Sequence, residues 1–242
     1  MIKVREINKT FSNKNILNNI SFDISNGDSV AIIGQSGTGK SVLLKHLNGL
    51  LIPDSGHVSV DNVLINNVSY NELQTIRKKM AMVFQFGALF DSMNVGDNIA
   101  LAIQSSTNLS NKKIPNRINK SLDLVELSDI KHLMPSEISG RMKKRVGIAR
   151  AIAINPEYIL YDEPTTGLDP ITTDKINQLI KKISEKKKVT SVIVTHDMKT
   201  LRFTSNKVIM LHEGNIIFND KTDMLFKSDD KFIQYFVTGE NK

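Results

Sequence analysis

The chain has 242 residues, a formal net charge of +7 at pH 7 and no cysteine. Its length suits one large domain or two small ones, and the lack of cysteine excludes disulfides and thiolate-bound zinc or iron–sulfur centres. The positive charge is compatible with binding to nucleic acid or to anionic lipid but identifies neither partner.

The hydrophobic segments are too short for a membrane span. None approaches the about 20 apolar residues that a transmembrane helix needs, and residues 1–11 contain no apolar run of signal-peptide length. We therefore expect a cytoplasmic protein that contacts a membrane only through a partner.

From the N-terminus, residues 2–11 and 16–24 alternate between apolar and polar side chains, as the two strands of a β-hairpin do. Residues 29–34 form a short apolar run that predicts a buried strand, and residues 40–50 have helical periodicity. From 86 to 134 the pattern is more polar and more helical, which indicates a helical insertion.

The second half of the chain alternates strands and helices more regularly. We predict a helix after Ser139, buried strands at 158–163 and 191–197, and a helix at 173–185 between them. Residues 208–219 read as a second hairpin. This alternation predicts an α/β fold with a parallel sheet.

The octapeptide GQSGTGKS, Gly34 to Ser41, matches the phosphate-binding pattern G-x-x-x-x-G-K-[ST] in full. It follows a predicted strand and opens a predicted helix, so its glycines allow backbone N–H groups to turn toward phosphate oxygens. Lys40 would reach the β- and γ-phosphates, and the Ser41 hydroxyl would ligate Mg²⁺. The alternative is a glycine-rich turn with a chance lysine. The predicted nucleotide-binding residues of this segment are Gly34, Gln35, Ser36, Gly37, Thr38, Gly39, Lys40, Ser41 and Val42.

The strand at 158–163 ends in two carboxylates, Asp162 and Glu163. Asp162 is suited to hold Mg²⁺, commonly through water, and Glu163 to polarise the water that attacks the γ-phosphate. By itself such a pair more often caps the next turn. Its occurrence downstream of a phosphate loop favours the catalytic interpretation.

Two further polar residues follow apolar runs. His196 ends the strand at 191–197, where a histidine is more often a satisfied core or turn residue but is also placed to sense a γ-phosphate. Gln85 follows the run MAMVF, and its amide is long enough to reach Mg²⁺ or the attacking water. We predict both as catalytic residues, together with Lys40 and Glu163.

In their order and spacing, these motifs resemble those of the ATP-binding-cassette (ABC) ATPases over about residues 2–220. The set is Phe11, GQSGTGKS, Gln85, ISGRM (138–142), YILYDEP (158–164), GLDP (167–170) and His196. The resemblance implies a single ABC-type nucleotide-binding domain of the P-loop NTPase class over residues 1–242. Its parts would be an N-terminal antiparallel β subdomain, a mixed parallel core sheet, a helical subdomain at about 86–150 and a helical C-terminal end at about 221–240.

The resemblance also implies roles for residues outside the phosphate loop. Phe11 would stack on adenine, and Gln85 would couple the site to a membrane partner. Ser139, Gly140 and the N–H that follows would face the γ-phosphate of ATP bound to a second subunit, and Asp169 would cross to that subunit. We therefore expect a head-to-tail homodimer with ATP and Mg²⁺ as cofactors.

Arg141 departs from the family pattern, which usually has a second glycine at this position. It retains the backbone N–H that phosphate needs, so we include it among the nucleotide-binding residues. In a helical conformation the loss of glycine stabilises the chain by about 0.5–1 kcal/mol, whereas a positive φ would cost about 1–2 kcal/mol. The basic residues that follow, Lys143, Lys144 and Arg145, are interpreted as a solvated or partner-contacting helix face.

The segment FQFGALFDSMNVGDNIA (84–100) resembles the ATPases of MCE-protein systems, the Mla-type phospholipid transporters and their plastid relatives. This resemblance implies three partners: an integral-membrane permease, an MCE-domain lipid carrier and a small cytoplasmic regulatory subunit. It also implies a peripheral position on the cytoplasmic face of the inner membrane. Phe86, Ala88, Leu89 and Phe90 would form an apolar docking knob for the permease; core packing of the insertion is the alternative.

The motifs leave other functions open. Because all cargoes share the cassette, transport of another solute, such as an amino acid, is the alternative within transport. Nucleic-acid ATPases with this cassette usually carry a coiled-coil insertion, a zinc module or a second cassette, so we expect no direct nucleic-acid partner. A scaffold with incidental hydrolysis is disfavoured by the presence of Glu163 and His196.

Overall fold

The computed structural model describes residues 1–239, except the side chains of residues 186 and 187. Its strands are β1 (Ile2–Phe11), β2 (Lys14–Ile24), β3 (Ser29–Ile33), β4 (Ser55–Val60), β5 (Val63–Leu64), β6 (Met80–Val83), β7 (Tyr158–Asp162), β8 (Thr190–Val194), β9 (Lys207–His212) and β10 (Asn215–Lys221). Its α-helices are α1 (Lys40–Leu47), α2 (Tyr70–Arg77), α3 (Val95–Ser106), α4 (Ile114–Leu124), α5 (Gly140–Ala153), α6 (Pro170–Lys187), α7 (Met198–Thr204), α8 (Thr222–Leu225) and α9 (Lys231–Thr238).

Six strands form the core sheet in the order β10–β9–β3–β8–β7–β6. The strands from β9 to β6 are parallel, and β10 pairs antiparallel to β9. The sequences of β3 and β8, SVAII and TSVIV, are buried at every position because both faces of the sheet are covered. The predicted α/β fold with a mainly parallel sheet is therefore confirmed.

The N-terminal strands form a second, antiparallel sheet in the order β2–β1–β4–β5. Ile2, Val4 and Ile7 of β1 turn inward and share one apolar core with Val30 and Ile32 of β3 and with α1. The alternation of side chains thus determines which face of the predicted hairpin is buried.

Helices α3, α4 and α5 share a second apolar core with Ile159 and Ile193 of the core sheet. The helical insertion starts later than the sequence predicts, because residues 86–94 contain no helix. Asn94 caps α3 by accepting a hydrogen bond from the Asp97 N–H (2.8 Å). After this irregular segment, residues 95–153 contain three α-helices and two short 3₁₀ helices, Asn111–Lys113 and Pro135–Glu137.

The C-terminal helices α8 and α9 cover the outer part of the core sheet, where Leu225 and Ile233 are buried against β9. Both helices, at 222–225 and 231–238, lie within the helical end predicted at about 221–240. Residues 240 to 242 are outside the described residues. The assignment of the whole chain to one domain thus stays a prediction. Across residues 1–239 no helix combines the length and apolar character that a membrane span needs.

Candidate nucleotide-binding site

The predicted site residues follow the carboxyl ends of adjacent core strands. Gly34 follows β3, His196 lies just beyond β8, Glu163 follows β7 and Gln85 lies just beyond β6. Because these four strands are parallel neighbours, their carboxyl ends meet at one edge of the sheet. This edge is where ligands bind in open α/β sheets.

Two glycines of the phosphate loop adopt conformations that other residues rarely adopt. Gly34 has a φ of +147°, and a Cβ there would lie 2.3 Å from the carbonyl oxygen of Leu211. Gly39 has a φ of +93°, and its Cβ would lie 2.8 Å from the carbonyl oxygen of Ile16. The loop therefore requires glycine at both positions for steric as well as conformational reasons.

Lys40, the first residue of α1, lies folded across the loop. Its buried ammonium donates hydrogen bonds to the carbonyl oxygens of Gly34 (2.9 Å) and Gln35 (2.7 Å). Burial lowers the pKa of Lys40, and the nearby carboxylates of Glu163 and Asp162 oppose that lowering. A phosphate group in the loop would supply the negative charge that this buried ammonium lacks at close range.

A cleft of about 260 Å³ lies beside the loop and collects half of the predicted nucleotide-binding residues together with Glu163. It combines an exposed aromatic ring, loop glycines, an ammonium group and a carboxylate, which are the groups that a base and a polyphosphate need. The predicted residues that line it are Phe11, Ser36, Gly37, Gly39, Lys40, Ser41, Val42 and Glu163. Thr38 instead donates a hydrogen bond to the Gln35 carbonyl oxygen (2.9 Å) within the loop.

Ser41 and Asp162 contact each other at the side of the cleft. The Ser41 hydroxyl donates a hydrogen bond to Asp162 Oδ1 (2.8 Å). Burial raises the pKa of Asp162, and the hydrogen bond from Ser41 opposes that rise. Hydroxyl and carboxylate oxygens are ligands that Mg²⁺ prefers, and the cation would offset the burial of the carboxylate charge. The pair therefore fits Mg²⁺.

Gln85 lies outside the 260 Å³ cleft. It shares a neighbouring cavity of about 390 Å³ with Asp162 and Lys45. The structure thus places Gln85 beside the predicted metal ligand, whereas its contact with nucleotide stays a prediction.

The Glu163 carboxylate is held from two sides. The Thr166 hydroxyl donates a hydrogen bond to Glu163 Oε2 (2.7 Å), and Nδ1 of His196 lies 3.4 Å from Oε1. The backbone of Glu163 has a φ of +48°, a conformation that costs a residue with a side chain about 1 kcal/mol or more. A strained residue with an oriented carboxylate beside a cleft is a candidate for catalysis.

The residues of ISGRM (138–142), the signature motif at the start of α5, form a separate cluster with those of GLDP, and this cluster does not line the cleft. Ser139 caps α5 by accepting a hydrogen bond from the Met142 N–H (3.3 Å), and Asp169 caps α6 by accepting one from the Thr172 N–H (3.0 Å). The Arg141 guanidinium joins the two helix ends, because its Nη1 lies 3.0 Å from Asp169 Oδ2 and 3.1 Å from Thr172 Oγ1.

Arg141 has a helical backbone, since α5 begins at Gly140 and Arg141 is not among the residues with positive φ. Of the two sequence-based alternatives, the structure therefore selects the one in which the replacement of glycine is not strained. A Cβ on Gly140 would meet nothing within 4 Å, so the surface at this helix end is open.

The basic residues of α5 do not form the uniform solvated face that the sequence predicts. Lys144 is only 8% exposed and donates a hydrogen bond to the Thr166 carbonyl oxygen, so the prediction for Lys144 was wrong. Arg145 is largely buried and pairs with Glu126 (2.8 Å), and Lys143 lines the 390 Å³ cavity. The physical reason is that α5 is buried around most of its circumference and not along one apolar stripe.

Sequence reasoning also missed Thr166, which contacts both Glu163 and Lys144. A signal was available for Lys144, because Ile148 and Ala151 follow it at i+4 and i+7 and are both buried. This second line on the helix predicts that Lys144 points inward.

The apolar knob, residues 86–90, lies beside the 390 Å³ cavity and is irregular in structure. The side chains of Phe86 and Phe90 are 76% and 53% exposed, so plain core packing does not account for them. Under the knob two backbones approach closely, since a Cβ on Gly147 of α5 would lie 3.1 Å from the Cα of Gly87. The knob thus rests on a backbone-to-backbone contact while its aromatic rings face outward.

Comparisons with known proteins identify the family of the chain. Residues 17–166 match the family model described as ABC transporter. The intermembrane phospholipid transport ATP-binding protein MlaF of Escherichia coli (strain K12) is 36% identical over 239 residues, which are 99% of this chain and 89% of that protein. The probable ribonucleotide transport ATP-binding protein mkl of Mycobacterium leprae is 37% identical over 238 residues, which are 98% of this chain and 69% of that protein.

A solved structure has the same fold. It is the dimeric post-hydrolysis state of the ATP-binding cassette MJ0796 with bound ADP and Pi, with a TM-score of 0.86 and 34% identity, covering 92% of this chain and 99% of that one. The predicted ABC-type nucleotide-binding fold is thereby confirmed. The family match extends over more than half of the chain, and both relatives align with nearly all of it. The chain therefore belongs to the ABC transporter family, as an ATP-binding subunit that hydrolyses ATP.

Proposed function

We propose that this subunit drives a membrane permease that moves phospholipid. The observation that supports this cargo is the 36% identity to the phospholipid transport protein MlaF, which extends over 99% of the chain. The aligned region therefore includes the 86–90 knob, the part of the molecule proposed to meet a permease, as well as the phosphate loop that ABC ATPases of every cargo share.

In this proposal the 260 Å³ cleft holds ATP. Phe11 stacks on the adenine ring, a contact worth about 1–3 kcal/mol by analogy with base stacking in nucleic-acid complexes. The N–H groups of the phosphate loop and of the amino end of α1 bind the phosphates. Lys40 exchanges its hydrogen bonds to Gly34 and Gln35 for the β- and γ-phosphates. Ser41 and Asp162 would hold Mg²⁺, and the bound cation would offset phosphate charge.

Glu163 is proposed to act on the attacking water. Its Oε2 is anchored by Thr166 (2.7 Å), so Oε1 is the oxygen oriented to accept a hydrogen bond and then a proton from water. His196, whose Nδ1 lies 3.4 Å from Oε1, is placed to sense the γ-phosphate on the same side. Gln85, beside Asp162, links the site to the knob.

Dimer closure is proposed to deliver the mechanical step. ABC ATPases of this family act with a membrane permease and dimerise, and the related cassette that binds ADP and Pi is a dimer. We propose that Ser139, Gly140 and the N–H of Arg141 meet the γ-phosphate of the partner subunit, with Asp169 crossing beside them. An MCE-domain lipid carrier and a small regulatory subunit would complete the assembly, on the cytoplasmic face of the inner membrane.

A second cargo has support from one specific relative. The protein mkl is described as a probable ribonucleotide transport ATP-binding protein and is 37% identical to this chain. Transport of a soluble, phosphorylated solute is therefore the competing function.

The cargo is tested by purifying a tagged chain from detergent-solubilised membranes and identifying the copurifying proteins and lipids by mass spectrometry. We expect a permease, an MCE-domain protein and bound phospholipid. The matched control is the double variant Phe86→Ser/Phe90→Ser, which should bind ATP as before but lose the permease. A permease that copurifies with a solute-binding protein and without phospholipid would refute the lipid cargo.

The role of Glu163 is tested separately with Glu163→Gln. A positioned general base contributes a factor of about 10²–10⁴ to turnover, so the variant should bind ATP but lose most hydrolysis. Full turnover in Glu163→Gln would remove Glu163 from its proposed role.

A further inference from the structure

Lys144 is a buried lysine that no part of the proposed function uses. It lies one turn into α5, is 8% exposed and donates a hydrogen bond to the carbonyl oxygen of Thr166. Within residues 1–239 no carboxylate forms an ion pair with it. Burial lowers the pKa of Lys144, and the nearby Glu163 carboxylate opposes that lowering.

Burial of an ammonium group with only a carbonyl partner opposes folding, because the group loses its water. A methionine would fill similar space without that cost, so packing does not explain a lysine at this position. The next residue, Arg145, differs because it has a carboxylate partner in Glu126.

Thr166 is the link between Lys144 and the catalytic centre. Its carbonyl oxygen accepts the hydrogen bond from Lys144, and its hydroxyl donates to Glu163 Oε2 (2.7 Å). The turn that contains both residues is short, with the Thr166 N–H directed to the Glu163 carbonyl oxygen (3.4 Å). Displacement of the Thr166 backbone would therefore displace the hydroxyl that orients the carboxylate.

We propose that Lys144 is a positioning residue for ATP hydrolysis: it fixes Thr166, and through Thr166 it orients the Glu163 carboxylate. The signature helix α5 and the proposed general base then move as one unit within the same subunit. This inference rests on the proposed role of Glu163 as the base.

The expected effect falls on turnover and not on nucleotide binding. Lys144 does not line the 260 Å³ cleft, so Lys144→Met should leave the Kd for ATP within about twofold. Loss of orientation forfeits part of the factor of about 10²–10⁴ that a positioned base contributes, and we expect kcat to fall about tenfold or more. Lys144→Arg, which keeps a donor for the Thr166 carbonyl oxygen, should restore much of kcat.

The experiment is a double-mutant cycle on kcat with Lys144→Met and Thr166→Val, in which valine keeps the shape of threonine without the hydroxyl. Because both residues act through the same contact, the double variant should lose no more activity than the more severe single variant. Lys120→Met, an exposed lysine on α4, is the matched control and should keep full activity.

A second readout needs no nucleotide. Amide hydrogen exchange of residues 163–168 in the nucleotide-free subunit should be faster in Lys144→Met than in wild type or Lys120→Met. If Lys144→Met does not fold, Lys144→Gln and Thr166→Val are measured in its place.

The possible outcomes separate this inference from the proposed function. Unchanged kcat in Lys144→Met, or losses that add in the double variant, would overturn the positioning role while Glu163→Gln still abolishes turnover. A loss of ATP affinity in proportion to kcat would also overturn it. If Glu163→Gln itself retains turnover, the proposed base is wrong and the inference fails with it.

Discussion

The side-chain amide of Asn98 holds the irregular segment at the end of the knob in place. Removal of this amide should lower the stability of the fold. Asn98 is 1% exposed on α3. Its Oδ1 accepts a hydrogen bond from the Phe90 N–H (2.7 Å), and its Nδ2 donates to the carbonyl oxygens of Phe90 (3.1 Å), Met93 (3.0 Å) and Asn94 (3.0 Å). One side chain thus satisfies four backbone groups of a segment without regular structure.

The variant Asn98→Ala removes all of these contacts. An amide has two N–H hydrogens and one accepting oxygen, so the four contacts amount to about three full hydrogen bonds. At about 0.5–1.5 kcal/mol net for each, the loss is about 2–4 kcal/mol. For a chain of this length that corresponds to a fall in Tm of roughly 5–15 °C.

The assay is urea unfolding of the nucleotide-free subunit, analysed by linear extrapolation. Asn98→Asp is the matched variant, because it keeps the size and the acceptor for Phe90 but directs a carboxylate oxygen at three carbonyls. The free energy of unfolding should fall at least as much in Asn98→Asp as in Asn98→Ala. A loss below about 1 kcal/mol in Asn98→Ala with an unchanged m-value would refute this reasoning.

Three further predictions concern other positions. Tyr161 is fully buried, and its hydroxyl has no partner among the described residues. Thermal unfolding of Tyr161→Phe should therefore show unchanged stability or a gain of up to about 1–3 kcal/mol. A clear loss of stability would contradict this. Burial raises the pKa of Asp162 in the folded subunit, so the folded state holds the proton more tightly and stability falls as pH rises from the usual aspartate pKa to the folded one. Asp162→Asn should therefore stabilise the nucleotide-free subunit at neutral pH but not below pH 3.8, and a difference that does not vary with pH would speak against it. Gly87 has a φ of +78°, and a Cβ there would lie 2.6 Å from the Lys143 carbonyl oxygen, so Gly87→Ala should lose about 2–4 kcal/mol of stability. Gly27 has a similar φ of +83°, but a Cβ there would meet nothing within 4 Å. Gly27→Ala is therefore the control for backbone conformation alone and should lose only about 1–2 kcal/mol.

The parts of the site that the sequence predicts are those whose chemistry is local in the chain. The phosphate loop is contiguous, so its glycines and Lys40 could be assigned from spacing alone. The carboxylates Asp162 and Glu163 could be placed because their strand is a short apolar run whose end is evident. Such residues need only their immediate neighbours to define their environment.

Residues whose role depends on a distant partner were predicted less well. For Lys144 the positions i+4 and i+7 could have indicated burial, but only the structure shows that its partner is the Thr166 carbonyl oxygen. The sequence likewise allows a helix or a strained turn at Arg141, and the structure has a helical backbone there with an ion pair to Asp169. Pairing across 20 or more residues is decided by tertiary packing, which local periodicity does not encode.

The late start of α3 has a different cause. The helical insertion was predicted to begin at residue 86, but residues 86–90 form the exposed knob and contain no helix. Asn94 followed by Asp97 is a helix-start signal in the sequence, and it lies at the observed start of α3.

The close approach of Gly87 to Gly147 determines how a push on the knob is transmitted. Side chains between two elements can change rotamer and absorb a small displacement, whereas two backbones in contact cannot. Arg150 adds two hydrogen bonds from α5 to the carbonyl oxygens of Gly87 (2.8 Å) and Ala88 (2.7 Å). A displacement of the exposed Phe86 and Phe90 rings would therefore displace α5 by a similar amount. A membrane partner that binds these rings would thereby set the position of the α5 amino end.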